Sequence, residues 1–235
     1  MARYALASRE SSKRRAELES QGEHIPPFLI ASITSSCNLH CEGCYARKNH
    51  IYSDENAYAQ LSAEEWGAIF EEADNLGISF ILLAGGEPMM RRDILQKAAE
   101  IPNILFPVFT NGTMINDSYI QLFDKARNLI PIFSIEGDET KTDERRGRGI
   151  YKSLIRAMDK IMDNHLIFGA SVTVTASNLK EVFSDNFISV LQERGCKAVI
   201  YVEFVPVTEG SADLAPQDEE REFMKNKLIE LREQH

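Results

Sequence analysis

"FLIASITSSCNLHCEGCYARK", residues 28–48, joins a seven-residue apolar run to a loop holding Cys37, Cys41 and Cys44. The first seven residues, rich in β-branched and apolar side chains, read as a strand. The same pattern repeats along the chain. Further strands are expected at 79–83, 104–109, 131–135, 167–174 and 198–205. All are short and mostly apolar, as strands of a covered parallel sheet are.

Amphipathic stretches lie between them. In 62–76, Ser62 and Glu65 form a capping box, Trp66, Ile69, Phe70, Ala73 and Leu76 share one face, and Gly77 stops the helix. Other helices are expected at 92–100, 117–127, 151–163, 180–194 and 217–233. Six consecutive βα units with right-handed crossovers give an open doubly wound sheet or a curved, incomplete barrel. In both, ligands bind beside the carboxyl ends of the strands. The unusual residues gather there: the cysteine loop follows strand one, "AGGEP" (84–88) strand two, "TNG" (110–112) strand three, "SIEGD" (134–138) strand four and "TASN" (175–178) strand five.

A chain of 235 residues can bury one substantial core, and we expect an N-terminal helical extension over 1–27 and a core domain over 28–235. The net charge of −10 disfavours nucleic acid and anionic membranes as partners. The longest apolar runs, 78–84 and 198–207, are too short to cross a bilayer, and the N-terminus lacks the apolar segment of a secretory signal. A cytoplasmic location is therefore expected, and Arg9, Lys13, Arg14 and Arg15 are read as the solvated face of an N-terminal helix. Cys196, remote from the other three cysteines, reads as a small core residue.

Three crowded thiols in a cytosolic chain favour metal chemistry over disulfides. A closed zinc site needs a fourth ligand, here His40, His50 or a remote group, and His40 would strain a very short loop. A ferredoxin-type carrier closes its cluster with four cysteines. Three thiolates on a [4Fe–4S] cluster leave one iron open to a substrate.

Cys37-x3-Cys41-x2-Cys44, followed by Gly85-Gly86-Glu87-Pro88, resembles the radical S-adenosylmethionine superfamily, in particular its branch of SPASM-containing maturases and the molybdenum-cofactor cyclase. The likeness covers about residues 28–210. It implies a partial (β/α)6 barrel, a [4Fe–4S] cluster on Cys37, Cys41 and Cys44, and S-adenosylmethionine chelating the open iron. It also implies a 5′-deoxyadenosyl radical that abstracts hydrogen from a peptide or small molecule, with a reducing donor such as a flavodoxin or ferredoxin. Gly85, Gly86 and Glu87 would receive the methionyl ammonium, with Pro88 stiffening the turn. Ser134 and Glu136 match positions that bond the ribose and polar parts of the cofactor, and Arg146, flanked by Arg145 and Arg148, its carboxylate. Thr110, Asn111 and Gly112 would shape the floor, Asn178 would face the cofactor or cap a helix, Val205 and Pro206 would line the adenine or the core, and Tyr45 would shield the cluster.

One departure is Gly43, where many members carry an aromatic residue; another is that Cys196 is the only cysteine beyond the loop, whereas relatives often carry auxiliary-cluster cysteines. Two other classes remain open: an iron–sulfur electron-transfer or sensing protein, and a barrel enzyme using Glu87, Glu136 or Glu203 as acid–base groups.

Overall fold

A computed structural model describes residues 2–44, 60–206 and 210–234. In chain order the elements are α1 (Ala2–Ser20), β1 (Phe28–Thr34), α2 (Ala63–Asn75), β2 (Phe80–Gly85), α3 (Arg92–Ala99), β3 (Phe106–Thr110), α4 (Asp117–Lys125), β4 (Leu129–Ser134), α5 (Glu139–Arg146), α6 (Ile150–Asp163), β5 (Phe168–Val174), α7 (Leu179–Val182), α8 (Asp185–Glu193), β6 (Cys196–Glu203) and α9 (Asp218–Gln234). The strands form one parallel sheet in the order β1-β2-β3-β4-β5-β6, so the expected α/β class is borne out. Side chains of β5 are almost all buried, whereas β1 and β6, at the ends of the order, expose about half of theirs. An end strand pairs on one side only.

Two compact units divide the chain. The first comprises Met1–Asn38, Ser53–Thr110 and Met114–Ile132. Ala31 and Ile33 of β1 and Ile81 and Leu83 of β2 are buried, with Ala31 paired to Leu83, while Phe28 and Ile30 stay exposed. This alternation is the strand period selecting one buried face. Phe70 of α2 meets Phe106 of β3 edge-on at 5.1 Å between ring centres. Asn128 is buried and donates to the carbonyls of Ala98 and Ile101 at 3.0 Å, satisfying the end of α3.

The expected capping box on α2 is present: Ser62 Oγ accepts from the Glu65 amide at 3.2 Å and Glu65 Oε2 from the Ser62 amide at 2.8 Å. Ser62→Ala is expected to lower stability by about 1 kcal/mol, read as a shift in the urea midpoint with an unchanged slope. At the other end of α2, Arg14 Nη1 donates to the Asp74 carbonyl at 2.9 Å and Arg15 Nη1 to the Gly77 carbonyl. These two arginines are thus half-buried caps on α2 rather than a solvated face, because exposed carbonyls at a helix C-terminus attract cations.

The second unit comprises Leu39–Tyr52, Asn111–Thr113 and Phe133–His235. Its core holds Phe133 against Phe168 at 5.4 Å and Phe183 stacked on Tyr201 at 4.2 Å. The helix expected over 180–194 is two helices, α7 and α8, because Ser184 accepts from the Phe187 amide at 3.2 Å and starts a new N-terminus. Helix α5 was not expected at all; of its eight residues only Thr142 is buried, so it carries no apolar stripe to read. Cys196 is buried and its thiol bonds the Ala198 carbonyl at 3.3 Å, as a small core residue should. Among the described residues no helix is long and apolar enough to cross a membrane.

Candidate active site

The first unit carries Cys37 and the "AGGEP" turn. β1 runs into the loop that starts at Ser35, and two backbone bonds tie that loop to the turn after β2: Gly86 N–H to the Thr34 carbonyl at 2.8 Å, and Glu87 N–H to the Ser36 carbonyl at 2.9 Å. A Cβ on Gly86 would fall onto the Ser36 carbonyl and lie 3.1 Å from the Cys37 Cβ. Only glycine permits this approach. The two motifs are therefore one seam.

Glu87 is almost fully buried, and its Oε1 accepts from Thr110 Oγ1 at 2.8 Å and from the Met89 amide at 3.1 Å. It caps the short 3-10 turn Pro88–Met90, so the expected stiff turn is also a capped one. Thr110, expected only to shape the floor, is the residue that fixes the Glu87 carboxylate. Sequence offered no signal for this bond, which spans 23 residues.

The second unit carries Cys41 and Cys44, and all four cysteines of the chain are free of disulfides. Cys44 N–H bonds the Cys41 carbonyl at 3.3 Å, and Glu42 N–H bonds the Arg145 carbonyl at 2.7 Å. This anchors the thiol turn to the end of α5. Burial holds the Cys41 thiol above its ordinary value, outweighing the opposing pull of the neighbouring Arg146 and Arg145 charges.

Glu136, just past β4, is buried; Arg145 Nη1 and Arg146 Nη2 donate to its Oε1, and Arg146 Nε to its Oε2. Burial alone would raise its pKa, but Arg146 and Arg145 together hold the carboxyl below the usual range. Arg145 and Arg146 thus share one carboxylate. Arg146, expected to grip a cofactor carboxylate, lays its Nε/Nη2 edge on Glu136 here.

Around this triad, Asp143 accepts from the Gly149 amide at 2.6 Å and the Tyr151 amide at 2.8 Å, capping α6 and fixing the course of α5 into it. These bonds hold its carboxyl below the ordinary value. Asn178 makes no side-chain cap to α7. Its Nδ2 donates to the Glu136 and Thr173 carbonyls, each at 3.0 Å, so it braces the segment carrying Glu136.

Ser134 ends β4 and is half-buried. Asn111 Oδ1 accepts from the Thr113 amide at 3.0 Å, a turn closed by its own side chain. Val205 and Pro206 are exposed, which removes core packing as their role. Glu203 is ion-paired to Arg221 at 2.7 Å, a satisfied structural carboxylate. Tyr45 and His50 lie outside the described residues. Among the described residues no three His, Cys, Asp or Glu side chains stand gathered to hold a metal ion.

A family model described as "Radical SAM superfamily" matches residues 31–182. The chain is 25% identical to the Fe-coproporphyrin III synthase of Methanosarcina barkeri over 86% of its own length and 50% of that protein's. It is 31% identical to a probable GTP 3′,8-cyclase of Methanothermobacter marburgensis over 59% of this chain and 48% of that one. Among solved structures, SuiB of Streptococcus suis bound to S-adenosylmethionine aligns with a TM-score of 0.72 at 17% identity, covering 93% of this chain and 52% of SuiB. SuiB bound to its precursor peptide SuiA aligns with a TM-score of 0.71 at 18% identity, over 94% and 50%. The fold is shared, and the chain spans about half the length of the curated relatives it matches.

Proposed function

Because the chain belongs to the radical S-adenosylmethionine superfamily, we propose that Cys37, Cys41 and Cys44 ligate a [4Fe–4S] cluster and that the residues around them hold S-adenosylmethionine for radical chemistry. Members of this family are enzymes that use both groups. The donor set fits in kind: three thiols, none of them in a disulfide, lie within one loop. When bound, the cluster would supply the electron for reductive cleavage of S-adenosylmethionine, and with it the power to abstract hydrogen from a substrate.

The observation that carries this reading is the seam at Gly86. A backbone pressed onto the start of the cysteine loop makes sense where a small ligand must touch both the loop and the turn at once. Gly85 and Gly86 leave the turn without side chains, and Glu87 presents a negative charge held rigid by Thr110 and the Met89 amide. That carboxylate complements the methionyl ammonium.

Glu136 orients Arg146 and Arg145, and the one acceptor site these bonds leave, on Oε2, accepts from a ribose hydroxyl, with Ser134 two residues earlier on the chain. Engaging the cofactor's carboxylate through the Nε/Nη2 edge of Arg146 requires that edge to turn from Glu136. The substrate is a peptide or a small molecule, the electron comes from a flavodoxin or ferredoxin, and a reducing cytoplasm keeps the thiols available. Neither nucleic acid nor membrane is a proposed partner.

Glu87→Gln tests the ammonium assignment, since the amide keeps an acceptor for Thr110 and removes only the charge. Dissociation constants for S-adenosylmethionine are measured on reconstituted protein of equal iron content. At least about tenfold weaker binding is expected. Unchanged affinity would remove Glu87 from the cofactor site.

A further inference from the structure

Cys41 and Cys44 sit at the two ends of a four-residue turn closed by the bond from Cys44 N–H to the Cys41 carbonyl at 3.3 Å. Gly43, its third residue, has φ +65°, a region that strains side-chain-bearing residues. A second constraint acts at the same position. A Cβ on Gly43 would lie 3.0 Å from Cε2 and 3.4 Å from Cζ of Phe204. The phenyl ring fills the space beside the turn.

Phe204 is itself firmly placed. It follows β6 directly, its side chain is buried, and its N–H bonds the Val174 carbonyl at the end of β5 at 2.9 Å. The backbone is thus tied across two paired strands, and the ring is buried. On the neighbouring residue of the turn, Glu42 N–H is bonded to the Arg145 carbonyl at 2.7 Å. The two residues between the thiols are therefore held separately, one by a backbone hydrogen bond and the other by a ring. A hydrogen bond at Glu42 fixes one point of the turn and leaves it free to pivot; contact at Gly43 supplies the second point that fixes its tilt.

We propose that Phe204 is a positioning residue for the thiol turn: its ring is the seat that sets the tilt of Gly43 and so the direction in which Cys41 and Cys44 point. The ring touches neither reacting atoms nor cofactor in this role. The inference rests on the proposed function only in taking those two thiols as ligands; the contact between ring and turn is independent of it. It also makes Gly43 and Phe204 two sides of one constraint, so added bulk at 43 is tolerated only when bulk is removed at 204.

A double-mutant cycle on the full chain tests this, using Gly43→Ala, Phe204→Leu and the pair. The first readout is the iodoacetamide alkylation rate of Cys41 and Cys44 in metal-free protein, resolved by mass spectrometry with Cys37 as internal reference. Backbone strain from the alanine is common to both backgrounds and cancels, leaving the ring. Gly43→Ala is expected to speed alkylation about tenfold with Phe204 present and at most about twofold in the F204L background. Thermal melts check that all four proteins fold, and Phe204→Met, with its flexible end, completes the cycle if F204L melts early.

The second readout is iron retained after anaerobic reconstitution and desalting, where the same non-additivity is expected. Additive effects on alkylation would overturn the inference, whatever the iron content. Coupled alkylation in a chain that takes up no iron even when unsubstituted would leave the seat standing and overturn the proposed function instead.

Discussion

Replacing Cys37, Cys41 or Cys44 singly with serine is expected to abolish the iron–sulfur absorbance and to cut 5′-deoxyadenosine formation by at least about 10³-fold. The three residues act as a unit, because a cluster short of one more thiolate has lost the ligand set that distinguishes protein-bound irons from the open one. Cys196→Ser supplies the control. That thiol is buried, bonded to the Ala198 carbonyl, and pushed up by burial, so its replacement touches packing alone. The control should cost about 1 kcal/mol of stability and leave iron content unchanged. Iron and sulfide quantitation on all four variants measures the contrast. Equal iron loss in the Cys196 variant would show that the assay reads unfolding rather than ligation.

The second large effect belongs to Glu136. Its carboxylate is buried beneath Arg145 and Arg146, so Glu136→Ala leaves two partly buried cations without their counter-charge. Removing one partner of a buried ion pair costs about 3–5 kcal/mol, a large fraction of a typical folding free energy. Denaturant titrations of the metal-free protein measure it. The loss also has a pH signature. Because the two guanidiniums hold the carboxyl below its ordinary value, the pair contributes fully above the unfolded-state pKa, and its contribution is lost as pH falls through the lowered folded-state pKa. The stability gap between the unsubstituted chain and the variant should be widest near neutrality and close in acid. A gap that persists at low pH would mean that Glu136 stabilises by packing rather than by charge.

The same substitution reaches the thiol turn. Arg145 offers its side chain to Glu136 and its carbonyl to Glu42, so releasing the guanidinium loosens the residue that anchors the Cys41–Cys44 turn. Faster loss of iron from Glu136→Ala than from an equally destabilised core variant would separate this coupling from a general drop in stability.

Which parts of this arrangement the sequence discloses follows from the range of the forces involved. β1 falls on residues 28–34 as expected, and the Ser62–Glu65 box starts α2, because both are set by neighbours within a few residues. The cysteine spacing and the Gly85-Gly86-Glu87 turn are legible for the same reason: one loop and one turn contain them. Helix α5 was hidden because "ETKTDERR" has no apolar period, although Asp138, which accepts from the Lys141 amide at 2.9 Å, is a cap that could have marked its start. The break at Ser184 was hidden by the apolar residues on both sides of it.

Pairings across the chain were out of reach. Thr110 on Glu87, Arg145 and Arg146 together on Glu136, and Phe204 against Gly43 are fixed by how strands and helices pack, and no local pattern encodes them. Gly43 was visible only as a missing aromatic residue. In the folded chain a ring does meet the turn, and it arrives from the end of β6.

The proposed activity depends on binding of a cluster with an iron open to S-adenosylmethionine. Its most direct test is anaerobic: the protein is reconstituted with iron and sulfide and reduced, and its electron paramagnetic resonance spectrum is recorded before and after addition of the cofactor, with 5′-deoxyadenosine assayed alongside. A [4Fe–4S] signal that changes on addition, together with release of 5′-deoxyadenosine, is the predicted result. A cluster indifferent to the cofactor would contradict it in favour of an electron carrier or sensor, and stoichiometric zinc with no cluster would contradict it outright.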